Sequence, residues 1–189
     1  MRLFVAIELN DSVRSALVGL RRRLQDWDQA VRWTPEGQMH LTLKFLGETP
    51  DLSVAAIGKA LVDGVAALPG FHMTLEGCGG FPPKGAVRIL WVGVKEPTGT
   101  LARCAEAIEV SLEPLGFPRE PRGFSPHVTL GRVREGRQVV GLREALSGVK
   151  MAPLSQSVSS IVLMSSVLSR EGPTYSMAAR ASLDGCAKH

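Results

Sequence analysis

The chain has 189 residues, 44% of them hydrophobic and 21% charged, an ordinary globular composition that excludes disordered and fibrous classes. A net charge of +4 mildly favours a polyanionic partner, and three cysteines (Cys78, Cys104, Cys186) without CxxC spacing argue against a disulfide framework or a cysteine-ligated zinc. No apolar run approaches the roughly 20 residues of a membrane span, and Met1 to Glu8 reaches an acid before a signal-peptide core of about 7–15 residues forms, so a soluble cytoplasmic protein is expected.

Leu3 to Ile7 reads as a buried strand. Val13, Leu17, Leu20 and Leu24 then recur at threes and fours as one face of a helix, which loses its pattern near Asp26 to Gln29. Arg21-Arg22-Arg23, the one basic run, reads as a solvated face of that helix. His40-Leu41-Thr42-Leu43 is a strand, and a second helical stretch, about Leu52 to Leu68, stops at Pro69-Gly70. Phe71 to Cys78 and Ala86 to Val94 are strands joined by the Gly/Pro-rich turn Gly79 to Gly85. Leu101, Ala105, Ile108 and Leu112 mark a third helix, broken by Pro114 and Gly116. After the strand His127-Val128-Thr129-Leu130 comes a helical stretch at about Val139 to Val149, ended by Pro153. Val158 to Ser166 and Thr174 to Ser182 close the chain as a hairpin around Arg170-Glu171-Gly172-Pro173.

These elements repeat at a fixed displacement. A shift of 87 residues lays Leu3-Phe4-Val5-Ala6-Ile7 on Leu90-Trp91-Val92-Gly93-Val94 and, without a gap, His40-Leu41-Thr42-Leu43 on His127-Val128-Thr129-Leu130, since 90 − 3 and 127 − 40 both equal 87. The repeating unit is strand, helix, HxTL strand, helix, strand, with the strand near position 90 closing the first unit and opening the second. A third strand at the same phase, within Thr174 to Ser182, places the first and last strands in one lobe. The expected class is α+β: one domain over 1–189, made of two lobes from units of about 3–87 and 90–182.

Alternation along a strand sends His40 and Thr42 to one face and Leu41 and Leu43 to the core; His127 and Thr129 stand likewise against Val128 and Leu130. A lone strand histidine is ordinary structure. Two histidine–threonine pairs in matched contexts are not explained by strand building, which favours β-branched and aromatic residues. Facing imidazoles suit in-line displacement at phosphorus, one taking a proton from water and the other giving one to the leaving oxygen, while the threonines hold non-bridging oxygens. Neither motif carries an Asp or Glu on the histidine face, so no metal and no other cofactor is expected. There is no GxSxG for a serine nucleophile. His72 reads as structural and His189 as a frayed tail.

His40-Leu41-Thr42-Leu43-Lys44-Phe45-Leu46-Gly47 and Pro126-His127-Val128-Thr129-Leu130-Gly131-Arg132 resemble the two motifs of the 2H phosphoesterases. The branch most resembled is the RNA 2′,3′-cyclic phosphodiesterases, also called 2′-5′ RNA ligase-like proteins. Gly79-Gly80-Phe81-Pro82 and Gly172-Pro173-Thr174-Tyr175 extend the likeness over nearly the whole chain. The resemblance implies two pseudo-symmetric lobes, each an antiparallel sheet with helices on its outer face, around a central cleft. It implies hydrolysis of RNA 2′,3′-cyclic phosphate ends to 2′-phosphates, with His40 as proton donor and His127 as proton acceptor. A monomer with no membrane partner is expected. Arg132 matches an arginine near the phosphate, although strand parity turns it away from His127 unless a bulge near Gly131 restores it. Lys44 has the parity for the cleft, with an exposed structural lysine as the plainer reading. Phe124 and Trp33 are either packing residues or base-stacking ones. A module that binds an RNA end without turnover, 2′-5′ ligation, and hydrolysis of an ADP-ribose cyclic phosphate stay open.

Overall fold

Alternation along β1 (Arg2–Glu8) sends Leu3, Val5 and Ile7 into the main core and turns Phe4 and Ala6 to the other face, where they form a smaller cluster with Val162. The computed structural model describes residues 1–169 and 172–185. After β1, the Asn10 side chain caps α1 (Asp11–Arg22) by accepting the Val13 N–H at 2.8 Å. The helix buries Val13, Leu17 and Leu20. Arg22 and Arg23 are exposed beyond its polar face, and Arg21 lies 5.9 Å over the Trp33 ring. There follow β2 (Val31–Trp33), β3 (His40–Glu48), α2 (Val54–Val65), β4 (Phe71–Phe81), β5 (Ile89–Lys95) and α3 (Thr100–Leu112). The chain continues through β6 (His127–Val133), α4 (Leu142–Gly148), β7 (Leu154–Val158), β8 (Ser160–Ser169) and β9 (Gly172–Ser182).

The strands join one antiparallel sheet in the order β7-β4-β5-β6-β3-β1-β8-β9, with β2 added to β6. Two halves, β3-β1-β8-β9 and β6-β5-β4-β7, meet where Leu41 pairs with Val128. The bounds of β1 and β5 differ by 87 at both ends (89 − 2 and 95 − 8), and β3 and β6 begin on His40 and His127 at the same displacement. Helices α2 and α3 pack on the first half through β9 and β3, and α1 and α4 on the second through β7 and β4. Their apolar faces, including Leu17, Ile57, Leu61, Ile108, Leu112 and Leu146, share one core with Leu41, Leu43, Val128 and Leu130. Full burial of such side chains is worth about 1.5–3 kcal/mol each. The fold is thus the expected α+β class, an antiparallel sheet in two lobes with helices on one side. Each chain half also lends a strand across the middle: β4 pairs with β5, and β8 pairs with β1. β1 and β9 share a lobe as expected, separated by β8.

Several bounds differ from expectation. β4 continues through Gly79-Gly80 to Phe81, because Trp91 lies across the ladder from Gly79 and its ring fills the space of a side chain there; a Cβ on Gly79 would come within 2.3 Å of it. β5 begins at Ile89 and α4 covers only Leu142–Gly148. β2 is too short to show a period. β7 is disguised by Gln156, buried because it accepts the Asn10 N–H at 3.0 Å and donates to the Glu8 carbonyl at 2.9 Å. Cys78 and Cys104 are free thiols whose pKa burial pushes up to about 11 and about 12. The turn residues Arg170 and Glu171, with Cys186 and His189, lie outside the described residues. Among the described residues no helix is long and apolar enough to cross a membrane.

Candidate active site

Leu41 and Val128, the pair that joins β3 to β6, are fully buried. Their neighbours one step either way therefore face away from the core: His40 and Thr42 on one strand, His127 and Thr129 on the other, all four half-buried. Continuing that register sets His40 opposite Thr129 and Thr42 opposite His127. The histidines are then diagonal neighbours, with backbones about 7–8 Å apart and a hydroxyl beside each ring.

Both rings are held alike. Nδ1 of His40 donates to the Gln38 carbonyl at 2.7 Å, and Nδ1 of His127 donates to the Ser125 carbonyl at 2.7 Å. A carbonyl only accepts, so each Nδ1 carries a hydrogen and each Nε2 is left for an external partner. Phe4 stacks on His40 with ring centroids 4.7 Å apart, and Tyr175 meets the same ring edge-on at 5.7 Å. Phe81 meets His127 edge-on at 5.1 Å. Burial lowers the His40 pKa, against the opposing pull of the Gln38 carbonyl. Among the described residues neither threonine hydroxyl has a hydrogen-bond partner.

A bulge interrupts both strands at the same place. Ala6 pairs with Thr42 and Val5 with Lys44, passing over Leu43; Trp91 pairs with Thr129 and Leu90 with Gly131, passing over Leu130. The extra residue reverses the alternation beyond it. Lys44 turns to the helix side, 6% exposed, where its ammonium pairs with the Glu109 carboxylate and donates to the Pro118 carbonyl at 2.8 Å. That corrects both expectations for Lys44, which is neither in the cleft nor an exposed lysine. The same reversal brings exposed Arg132 to the histidine face, where its charge opposes the rise that burial gives the Tyr175 phenol. Gly131 is turned inward at the bulge; a Cβ on it would lie 2.8 Å from Val31 Cγ1. Position 45, the counterpart of 132 at the 87-residue displacement, carries Phe45, 71% exposed and 6.3 Å from the Phe4 ring.

A cavity of about 440 Å³ opens beside His127, lined by Phe81, Trp91, Gly93, Ser125 and Pro126 with Glu76 and Lys95. That is the size of a small-molecule site, and the Trp91 Nε1 donor at its wall is buried with no partner among the described residues. Phe124 is exposed, outside the core and without a ring contact among the described residues. Trp33 packs on the core and donates to Asp28 at 2.5 Å, which makes it a packing residue. His72 contacts the Ser157 hydroxyl at 3.2 Å, away from the other two histidines. Phe4, Phe45, Phe81 and Tyr175 were not foreseen. The 87-residue displacement already sets Phe4 against Trp91, and carried past the HxTL segments it sets Phe45 against Arg132.

An antiparallel sheet whose two central strands each offer a histidine and a threonine on one face is the arrangement expected of the 2H phosphoesterases. The chain belongs to the 2′-5′ RNA ligase superfamily, whose family model matches residues 10–169. It is 35% identical over 176 residues to an RNA 2′,3′-cyclic phosphodiesterase of Archaeoglobus fulgidus, covering 93% of this chain and 96% of the relative. To the protein of the same name from Thermus thermophilus it is 33% identical over 194 residues, covering 98% and 91%. The crystal structure of TT0787 of Thermus thermophilus superposes with a TM-score of 0.80 at 30% identity, over all of both chains. Escherichia coli LigT complexed with 3′-AMP superposes with a TM-score of 0.74 at 27% identity, covering 96% of this chain and 97% of LigT.

Proposed function

We propose that the chain hydrolyses 2′,3′-cyclic phosphates at RNA ends to 2′-phosphates by proton transfer between His40 and His127, with no metal or other cofactor. The observation that carries this reading is the set of four side chains around the Leu41–Val128 pair, with both rings anchored through Nδ1. The names of the relatives and the 3′-AMP bound to LigT support the substrate class.

In this reading the cyclic phosphate sits between the two Nε2 atoms. His127 takes a proton from water as its oxygen bonds to phosphorus, the bond from phosphorus to the 3′-oxygen breaks, and His40 gives that oxygen a proton. Thr42, Thr129 and Arg132 bind the non-bridging oxygens and stabilise the charge gathering there. His40 has to start protonated, which its burial opposes. The phosphate anion beside it supplies the compensating attraction. Because the leaving oxygen belongs to the ribose, the nucleoside lies on the His40 flank, where exposed Phe45 and half-buried Tyr175 offer a stacking surface. Exposed Phe124, three residues before His127, is open to a further base. The same reading makes the chain one bilobal domain with repeat units of about 3–87 and 90–182, acting as a cytoplasmic monomer, in keeping with its free thiols.

The test is incubation with a 2′,3′-cyclic nucleotide in excess EDTA, followed by phosphorus NMR. Undiminished conversion to the 2′-phosphate is expected. Loss of turnover restored by one divalent ion, or binding without turnover, refutes the proposal.

A further inference from the structure

Antiparallel pairing sets Arg32 of β2 directly across from Arg132 of β6, so the two guanidinium side chains leave the same face of the ladder. Like charges directly opposite one another destabilise a sheet. The other ladder neighbour of Arg132 is Ile89, and both arginines are exposed. Among the described residues no carboxylate pairs with either. On the same face of the other half, carboxylates do meet cations: Glu8 pairs with Arg180, and Glu48 with Arg2. Arg134, exposed and likewise without an ion pair among the described residues, stands one alternation beyond Arg132, its N–H bonded to the Ala30 carbonyl. An unneutralised row of cations thus runs from the phosphate position outward over β6 and β2.

We propose that Arg32 and Arg134 extend the site into a track for the phosphodiester backbone of a single RNA strand leading to the cyclic end, so that the preferred substrate is a strand rather than a mononucleotide. This rests on the reading of the site given above. Steps of roughly 5 Å across the ladder and 7 Å along it suit successive phosphates of an extended strand. Binding there releases counterions, which makes the interaction salt-dependent. It also explains why a repulsive pair persists in the ladder, since a phosphate between the two arginines turns repulsion into bridging.

The experiment compares the wild type with Arg32→Gln, Arg134→Gln and the double variant on two substrates, a 2′,3′-cyclic mononucleotide and a short oligoribonucleotide ending in a 2′,3′-cyclic phosphate. The double variant should raise KM for the oligonucleotide with kcat unchanged and leave the mononucleotide parameters within about twofold. Two lost phosphate contacts should flatten the slope of log kcat/KM against log salt by about 1.4, so that between about 50 and 200 mM salt the wild type loses roughly sevenfold more than the variant. Arg32→Gln should leave the melting temperature unchanged or raise it. Equal losses on both substrates, an unchanged salt slope, or a wild type that gains nothing from the strand overturns the track. If the wild type turns over neither substrate, anisotropy with an RNA strand ending in a 2′-phosphate decides the matter. Weaker binding by the double variant then supports the track while the hydrolytic reading fails, and equal binding sinks the track.

Discussion

Replacing Lys44 by methionine should damage stability and spare chemistry. The Lys44 and Glu109 side chains are 4% and 15% exposed, and the ammonium also serves the Pro118 carbonyl. Without it the Glu109 carboxylate, largely shielded from water, keeps a long contact to the Glu120 N–H at 3.3 Å and the attraction of the exposed Arg119. Breaking such a pair from one side typically costs about 3–5 kcal/mol. For a chain of this length that is roughly 6–20 °C in melting temperature. Lys59–Asp63, with side chains 77% and 61% exposed, is the internal control; Lys59→Met should cost no more than about 0.5 kcal/mol. Lys44→Met combined with Glu109→Leu removes both charges and should recover most of the loss. Urea denaturation and single-turnover hydrolysis at low temperature measure the two sides. The folded Lys44→Met protein should keep kcat within about a factor of two, because Lys44 is on the helix side of the sheet, not the histidine side. Normal stability with lost turnover would refute the bulge-reversed orientation.

His40→Ala and His127→Ala should each lower kcat by about 10² to 10⁴, and the double variant by little more than either, as in groups that act in one step; full multiplication of the two losses contradicts a shared displacement. Thr42→Ala and Thr129→Ala should each cost about 1–3 kcal/mol of transition-state binding, read from kcat/KM. As the donor, His40 is active when protonated, so activity falls as pH rises through its pKa. Burial places that basic limb below the ordinary value of 6.5 in kcat/KM, which reports the free enzyme, and the bound anion moves it upward in kcat. A basic limb lying higher in kcat/KM than in kcat would exclude this assignment.

The strands that carry the histidines were legible because both repeat a period-two pattern: Leu41 and Leu43, or Val128 and Leu130, are buried beneath half-buried partners. Beyond Leu43 and Leu130 the same rule misleads. A bulge depends on how a strand registers against its neighbour, here Val5 to Ala6 and Leu90 to Trp91, and a single strand's own residues carry no mark of it. Hence Lys44 was placed on the wrong face, and the odd step from His127 to Arg132 told against a residue that does reach the cleft side. The rings around the histidines come from separate elements, Phe4 from β1, Phe81 from β4 and Tyr175 from β9. Only the tertiary fold gathers them. β2, which gives Arg132 its partner, is illegible in the sequence because three residues are too few for any periodic signal.

The crossing of β4 into the second lobe and β8 into the first makes each half of the chain an incomplete object. A fragment ending near residue 87 would hold β1 and β3 with no strand to cover the far edge of β1, and β4 with neither neighbour. Its complement would hold β8 and β9 as a hairpin without a sheet to join. Expressed apart, the two pieces should remain unfolded; expressed together, they should fold only as a pair. In the intact molecule the same crossing braces the lobes like clasped hands. The distance between the two imidazoles therefore depends on strands drawn from both halves of the chain, not on either half alone.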